Sequence, residues 1–193
     1  MFEPTYSITS KLLRDIKDIT VLVHELNRRV IPEVVLMQQE VEARSISTYA
    51  STSIEGNPLP LTDVKRLLKS QPAQLRRSER EVVNYNRVLG WLSEKEADDF
   101  DNGLLLRIHA GVMAGLLPAH QSGRFRLEPV IIREPRTSDI VFLPPDHQDV
   151  PALMDELIAF IRDKRDLDPL LLAGIFHKQF VIIHPFMDGN GRT

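Results

Sequence analysis

The residues with the clearest chemical potential lie together as His184-Pro185-Phe186-Met187-Asp188-Gly189-Asn190-Gly191-Arg192, after the apolar run Phe180-Val181-Ile182-Ile183. Gly189 and Gly191 open backbone conformations closed to other residues, so successive N–H groups can converge into a nest for phosphate oxygens. A helix beginning just after the loop would add its N-terminal dipole to that nest. Arg192 brings a guanidinium able to grip phosphate through two parallel hydrogen bonds. His184 titrates near neutral pH and suits a general base that takes a hydroxyl proton. Asp188 is a hard carboxylate beside the nest, and Mg²⁺ at nucleotide sites is usually held by one or two carboxylates plus the phosphates. Phosphoryl and nucleotidyl transfer need mainly positioning and charge neutralisation, so this set is chemically sufficient. Singly, each residue has a plainer use: a histidine ending an apolar helix can be structural, and Gly-Asn-Gly is commonly a turn.

Helices must position this loop. Apolar residues recur at helical spacing over Ile8 to Val30 and over Pro32 to about Ile54, where Glu55-Gly56-Asn57-Pro58 reads as a stop and a turn. Ser78-Glu79-Arg80-Glu81 reads as a capping box opening a helix to about Ser93. Leu104 to Leu117 is amphipathic, and Asp149 with Pro151 and Asp168 with Pro169 mark two further helix starts. Between them, Val130-Ile131-Ile132 and Ile140-Val141-Phe142, separated by Thr137-Ser138-Asp139, predict a hairpin within residues 129–144. The expected class is all-α, a helical bundle with one β-hairpin.

The bulk properties fit that class. The chain has 193 residues, 42 % hydrophobic and 26 % charged, with a formal net charge of −3. Neither that charge nor the sequence pI of about 6.1 points to direct nucleic-acid or anionic-lipid binding. The absence of cysteine excludes disulfides and thiolate chemistry and suits a reducing compartment, with the cytoplasm expected. No signal peptide or membrane span is read, since the longest apolar run, near Leu170 to Phe176, is too short. His24, His120 and His147 are expected at the surface or in loops, and His109 and His177 as core hydrogen-bonding groups.

The loop resembles the hallmark of the Fic family, His-x-Phe-x-(Asp/Glu)-Gly-Asn-Gly-Arg-x-x-Arg, through His184, Phe186, Asp188, Gly189, Asn190, Gly191 and Arg192. Leu106-Arg107-Ile108-His109, Gly123-Arg124-Phe125-Arg126, Phe142-Leu143-Pro144-Pro145 and His177 to Phe180 extend the resemblance over about the last 90 residues. It implies a Fic-like helical bundle with a hairpin flap, using ATP as substrate with Mg²⁺. The implied reaction moves AMP onto a Tyr, Ser or Thr hydroxyl of a target protein. By the same resemblance, His184 is the base and Asp188 the metal ligand. Gly189, Asn190 and Gly191 form the anion hole, Arg192 is a phosphate clamp and Phe186 a core anchor. The flap aligns the target by strand-like pairing, and a homodimer is compatible with the family.

Ser51-Thr52-Ser53-Ile54-Glu55-Gly56 resembles the family's inhibitory motif, (Ser/Thr)-x-x-x-Glu-(Gly/Asn). This implies that Glu55, with Ser51 at the motif's start, obstructs placement of the γ-phosphate. The expected organisation is an N-terminal helical region over 1–100, with an inhibitory helix at about 32–56, and a Fic core over 101–193. The hallmark's second arginine falls past Thr193, so a longer version is expected to be more stable and more active. Two other readings stay open: an ATP-sensing regulatory module without transfer, and a variant moving another phosphate-containing group. Forward transfer and its reversal are both compatible with the motif.

Overall fold

The computed structural model describes residues 3–94, 100–134, 137 and 139–193. The elements run α1 (Ser10–Asn27), α2 (Glu33–Ile54), α3 (Leu61–Lys69), α4 (Arg77–Ser93), α5 (Asn102–Val112), β1 (Ile132–Arg133), β2 (Ile140–Phe142), α6 (Val150–Asp163) and α7 (Pro169–Ile183). The chain is thus all-α with one small antiparallel hairpin. Among the described residues, no helix is long and apolar enough to cross a membrane.

Local chemistry explains most boundaries. Asp168 accepts a hydrogen bond from Leu170 N–H at 2.8 Å and Pro169 occupies the first turn of α7, a pairing that satisfies one orphan donor and uses a residue lacking another. Asp101 caps α5 through Leu104 N–H at 2.6 Å. Asp149 precedes α6 but is already helical in φ and ψ, so its side chain makes no cap bond there.

The start of α4 departs from expectation. Arg76 is extended and takes the cap position, and the Glu79 carboxylate accepts its N–H at 2.7 Å. The box expected between Ser78 and Glu81 does not form, because the helix begins before Ser78. Glu81 is left with its carboxylate available for other partners. Helix α3 lies where the sequence predicts no element, and it exists by packing, with Val64 and Leu67 buried.

Three apolar clusters hold the body. Leu105, Val150, Met154, Leu157, Ile158, Phe180, Ile183 and Phe186 join α5, α6, α7 and the loop after α7. Val64, Leu67, Val82 and Val83 join α3 to α4. Val88 of α4 packs with Ile108, Val112 and Met113, so the N-terminal helices and the segment carrying the loop share packed surface.

Helix α2 ends in a closed turn. Gly56 N–H donates to Ser53 O and Asn57 N–H to Thr52 O, both at 3.0 Å, and Gly56 has φ +88°. This is the paired-bond glycine stop that terminates helices. The hairpin pairs Ile132 with Phe142 and Arg133 with Ile140, shorter than the runs that predict it. Ser138, expected in its turn, lies outside the described residues.

Candidate active site

His184 sits at the point where α7 stops. Its N–H still donates to Phe180 O at 2.9 Å, but its backbone turns left-handed at φ +49° and ψ +62°. Among the described residues it is the single non-glycine with positive φ, a conformation that costs about 1–2 kcal/mol for an L-residue. Arg126 holds it there. Only 2 % exposed, Arg126 donates from Nε to His184 O at 2.9 Å, from Nη1 to Glu128 O at 3.2 Å and from Nη2 to Pro145 O. Its own N–H donates to Pro185 O at 2.9 Å. Burial lowers the Arg126 pKa and Asp146 opposes the shift, yet an arginine stays charged at neutral pH. A buried cation is thus paired mainly with carbonyl oxygens flanking the strained histidine.

The loop after His184 is braced from inside. Phe186 is fully buried and stacks on His109 with ring centroids 3.8 Å apart and an interplanar angle of 3°. His109 Nδ1 accepts from Gly123 N–H at 2.9 Å. A neutral ring accepting at Nδ1 carries its proton on Nε2, and that nitrogen lies 3.0 Å from Asp188 O, to which it donates. Burial is the main cause lowering the His109 pKa; the Asp188 carbonyl and carboxylate oppose it and Arg192 adds to it. The Asn190 side chain is also committed to structure. Its Oδ1 accepts from Phe186 N–H at 2.9 Å and its Nδ2 donates to Phe186 O at 2.8 Å. What Asn190 can offer an anion is therefore its backbone N–H. Gly189 has φ +82°, and a Cβ there would stand 2.5 Å from Met113 Sδ, so both conformation and space require glycine.

Charges surround this frame. The Asp188 carboxylate accepts from Gly189 N–H at 2.6 Å and from Arg192 Nη2 at 2.9 Å, both through Oδ1. Oδ2 faces Arg77 Nη2 at 3.7 Å, and the side chain is 42 % exposed. Arg192 is 7 % exposed, and its Nη1 lies 3.2 Å from Glu81 Oε1. Arg192 is therefore held between two carboxylates rather than projecting as an open fork. Among the described residues, no group of three or more His, Cys, Asp and Glu side chains converges. The His184 pKa is lowered, first by burial and then by Arg126; the Val181 carbonyl and Asp188 pull the other way. His184 Nδ1 is buried without a well-formed hydrogen bond. The ring is consequently neutral at pH 7.

The structure also brings Glu55 to the loop. A Cβ built on Gly191 would lie 1.8 Å from Glu55 Oε1, 2.5 Å from Cδ and 2.9 Å from Oε2. The carboxylate thus lies directly on the glycine of the expected anion nest, although the two residues are 136 positions apart. Ser51, one turn earlier on α2, accepts a hydrogen bond at Oγ from Tyr85 O–H at 2.8 Å, which ties the inhibitory-motif segment to α4.

Sequence reasoning missed Arg126, His109, Glu81 and Tyr85 as parts of the site. The only signal for the first two is their place inside the segments that carry the family resemblance. His177, expected in the core, is exposed.

An apolar last helix that delivers a strained histidine and a braced Asp-Gly-Asn-Gly-Arg loop, within an otherwise helical frame, defines a narrow class of domain. Residues 99–193, about half of the chain, match the Fic/DOC family. It is similar to protein adenylyltransferase fic-1 of Caenorhabditis elegans, 28 % identical over 97 % of this chain and 36 % of the relative. It also resembles protein adenylyltransferase Fic of Nematostella vectensis, 27 % identical over 75 % of this chain and 34 % of that protein. The chain thus spans about a third of the length of these relatives. Among solved structures, a Fic family protein from Desulfovibrio desulfuricans G20 superposes with a TM-score of 0.82, at 30 % identity over 99 % of this chain and 57 % of the other. C. elegans Fic-1 superposes with a TM-score of 0.69, at 25 % identity over 95 % and 56 % of the two chains.

Proposed function

We propose that this chain is the catalytic segment of an autoinhibited protein adenylyltransferase, which transfers AMP from ATP to a Tyr, Ser or Thr hydroxyl of a target protein. The observation that carries the reading is a neutral, conformationally strained His184 at the mouth of the Asp188–Gly191 loop. With Nδ1 shut away from solvent, Nε2 is the nitrogen that takes the hydroxyl proton. The freed oxygen attacks the α-phosphorus, an O–P bond forms, and the bond to pyrophosphate breaks. The backbone N–H groups of Asn190 and Gly191, which donate to no described residue, receive the phosphate oxygens. The relatives' names, protein adenylyltransferase, agree with this reaction.

Asp188 fits as the carboxylate that would hold Mg²⁺, since Oδ2 is bonded to no backbone donor and the side chain is partly exposed. When bound, the metal supplies charge neutralisation for the phosphates. The hairpin presents exposed Ile131, Ile140, Val141 and Leu143, an apolar edge suited to an extended target segment. A reducing compartment such as the cytoplasm fits a chain without cysteine. Glu55 serves as the brake: its carboxylate lies on Gly191, where it would repel incoming phosphate and fill its place.

The test incubates the full chain with Mg²⁺ and either α- or γ-labelled ATP. Label from α-ATP alone, increased by Glu55→Gly and abolished by His184→Ala, is the expected result. ATP binding without label transfer from either nucleotide would instead favour a sensing module.

A further inference from the structure

The Glu81 side chain touches both the motif arginine and the turn carrying the brake. Its side chain is 15 % exposed, and Oε1 lies 3.2 Å from Arg192 Nη1 and 3.6 Å from Arg77 Nε. Oε2 accepts from Asn57 Nδ2 at 2.9 Å. Asn57 is buried and stands two residues beyond Glu55. Its side chain also donates to Ser78 O at 2.9 Å and accepts from Leu59 N–H at 3.1 Å. Asn57 N–H makes the outer bond of the turn that ends α2. Contacts therefore run from Arg192 through Glu81 to Asn57, which the backbone of Gly56 joins to Glu55.

We propose that Glu81 is a positioning residue that sets the brake on the motif loop: one oxygen fixes Arg192, the other fixes the turn that aims Glu55 at Gly191. This rests on the reading of Glu55 as a brake. The chemistry requires two acceptors at position 81. A carboxylate supplies them, and its charge suits the buried guanidinium. An amide of the same size has one acceptor oxygen and two donors, so glutamine satisfies Arg192 or Asn57 and not both. Cutting either end leaves the turn free to shift, and Glu55 spends less time against Gly191. The consequence falls on the phosphates that Glu55 obstructs rather than on the nucleoside.

Isothermal titration of Mg·ATP and of AMP into the full chain tests this, with Glu81→Gln and Asn57→Ala each made alone and combined with Glu55→Gly. Both single variants should raise ATP affinity by about 3- to 10-fold, toward the lower end of the effects seen for residues coupled in one network, with AMP affinity unchanged. In the Glu55→Gly background neither should raise it further. An increase that persists undiminished there would overturn the proposal, because Glu81 would then act on nucleotide directly through Arg192. A fall in ATP affinity, or equal changes for ATP and AMP, would reduce Glu81 to an ordinary structural ion pair. If Glu81→Gln does not fold, as judged by melting, Asn57→Ala decides alone. Should Glu55→Gly itself leave ATP affinity unchanged, the brake reading fails; a Glu55→Gly gain without one from the other two variants overturns only the role of Glu81.

Discussion

Substituting Gly191 by alanine offers a test of where Glu55 lies in solution that needs no activity. The added methyl would stand 1.8 Å from Glu55 Oε1, whereas ordinary non-bonded contact is about 3.5 Å, so the carboxylate must withdraw by about 1.7 Å. Glu55 is exposed and ends a helix, and rotating such a side chain off its preferred geometry costs about 0.5–1.5 kcal/mol. Gly191 is not in the left-handed region, so alanine is allowed there and stabilises by about 0.4–1 kcal/mol through the unfolded chain. The two effects nearly cancel when Glu55 is present. In a Glu55→Ala background only the gain remains. The coupling between the two substitutions is therefore about 0.5–1.5 kcal/mol, or a melting difference of about 1–6 °C for a chain of this size. Thermal melting and urea titration of wild type, both single variants and the double variant give the cycle. Additivity within about 0.3 kcal/mol would show that Glu55 does not rest on Gly191, and the brake geometry would fall with it.

Arg126→Ala should destabilise the fold by about 3 kcal/mol or more, since it strips charged donors from the buried carbonyls around His184; a loss below about 1 kcal/mol in urea would refute its role as the brace of the left-handed turn. Acid should weaken the fold in a defined window: His109 and His184 both have folded pKa values below the usual 6.5, so the unfolded chain binds more protons between those values. Stability is then complete above about pH 6.5 and is lost as pH falls below it, and urea midpoints between about pH 7.5 and 5.5 should show a decline that His109→Gln reduces. A midpoint that rises on acidification would contradict the burial of both rings.

The loop's chemistry was legible because histidine, aspartate and glycine types in that order restrict what a backbone and its donors can do. The α7 start was legible for a similar reason, as Asp168 satisfies a local donor two residues on, whereas the Asp101 cap of α5 was not read. What could not be read is long-range. Nothing local distinguishes Glu81 from Glu79 as the cap partner, because the choice depends on Arg76 being extended. Asn190 looks like an anion ligand in sequence, and only the fold shows its amide closed on the Phe186 backbone. Helix α3 exists because Val64 and Leu67 find α4, a fact absent from its own residues. Glu55 could be named from its motif, but its 1.8 Å approach to an imagined Gly191 side chain depends on how α2 packs against α4.

That packing also bears on how the proposed brake would release. Thr48 and Thr52 of α2 are buried, Ser51 is held by Tyr85, and Asn57 is held by Glu81 and Ser78. Moving α2 as a body would break all of these contacts together, at a cost of several kcal/mol from the hydrogen bonds alone. Glu55, by contrast, is exposed, and its side chain makes no hydrogen bond with a described residue. The cheaper path is rotation of that one side chain, at about 1 kcal/mol, which corresponds to roughly a fivefold change in population. A brake of this build would lower activity without abolishing it, and it would yield to whatever displaces a single carboxylate while the helix that carries it stays in place.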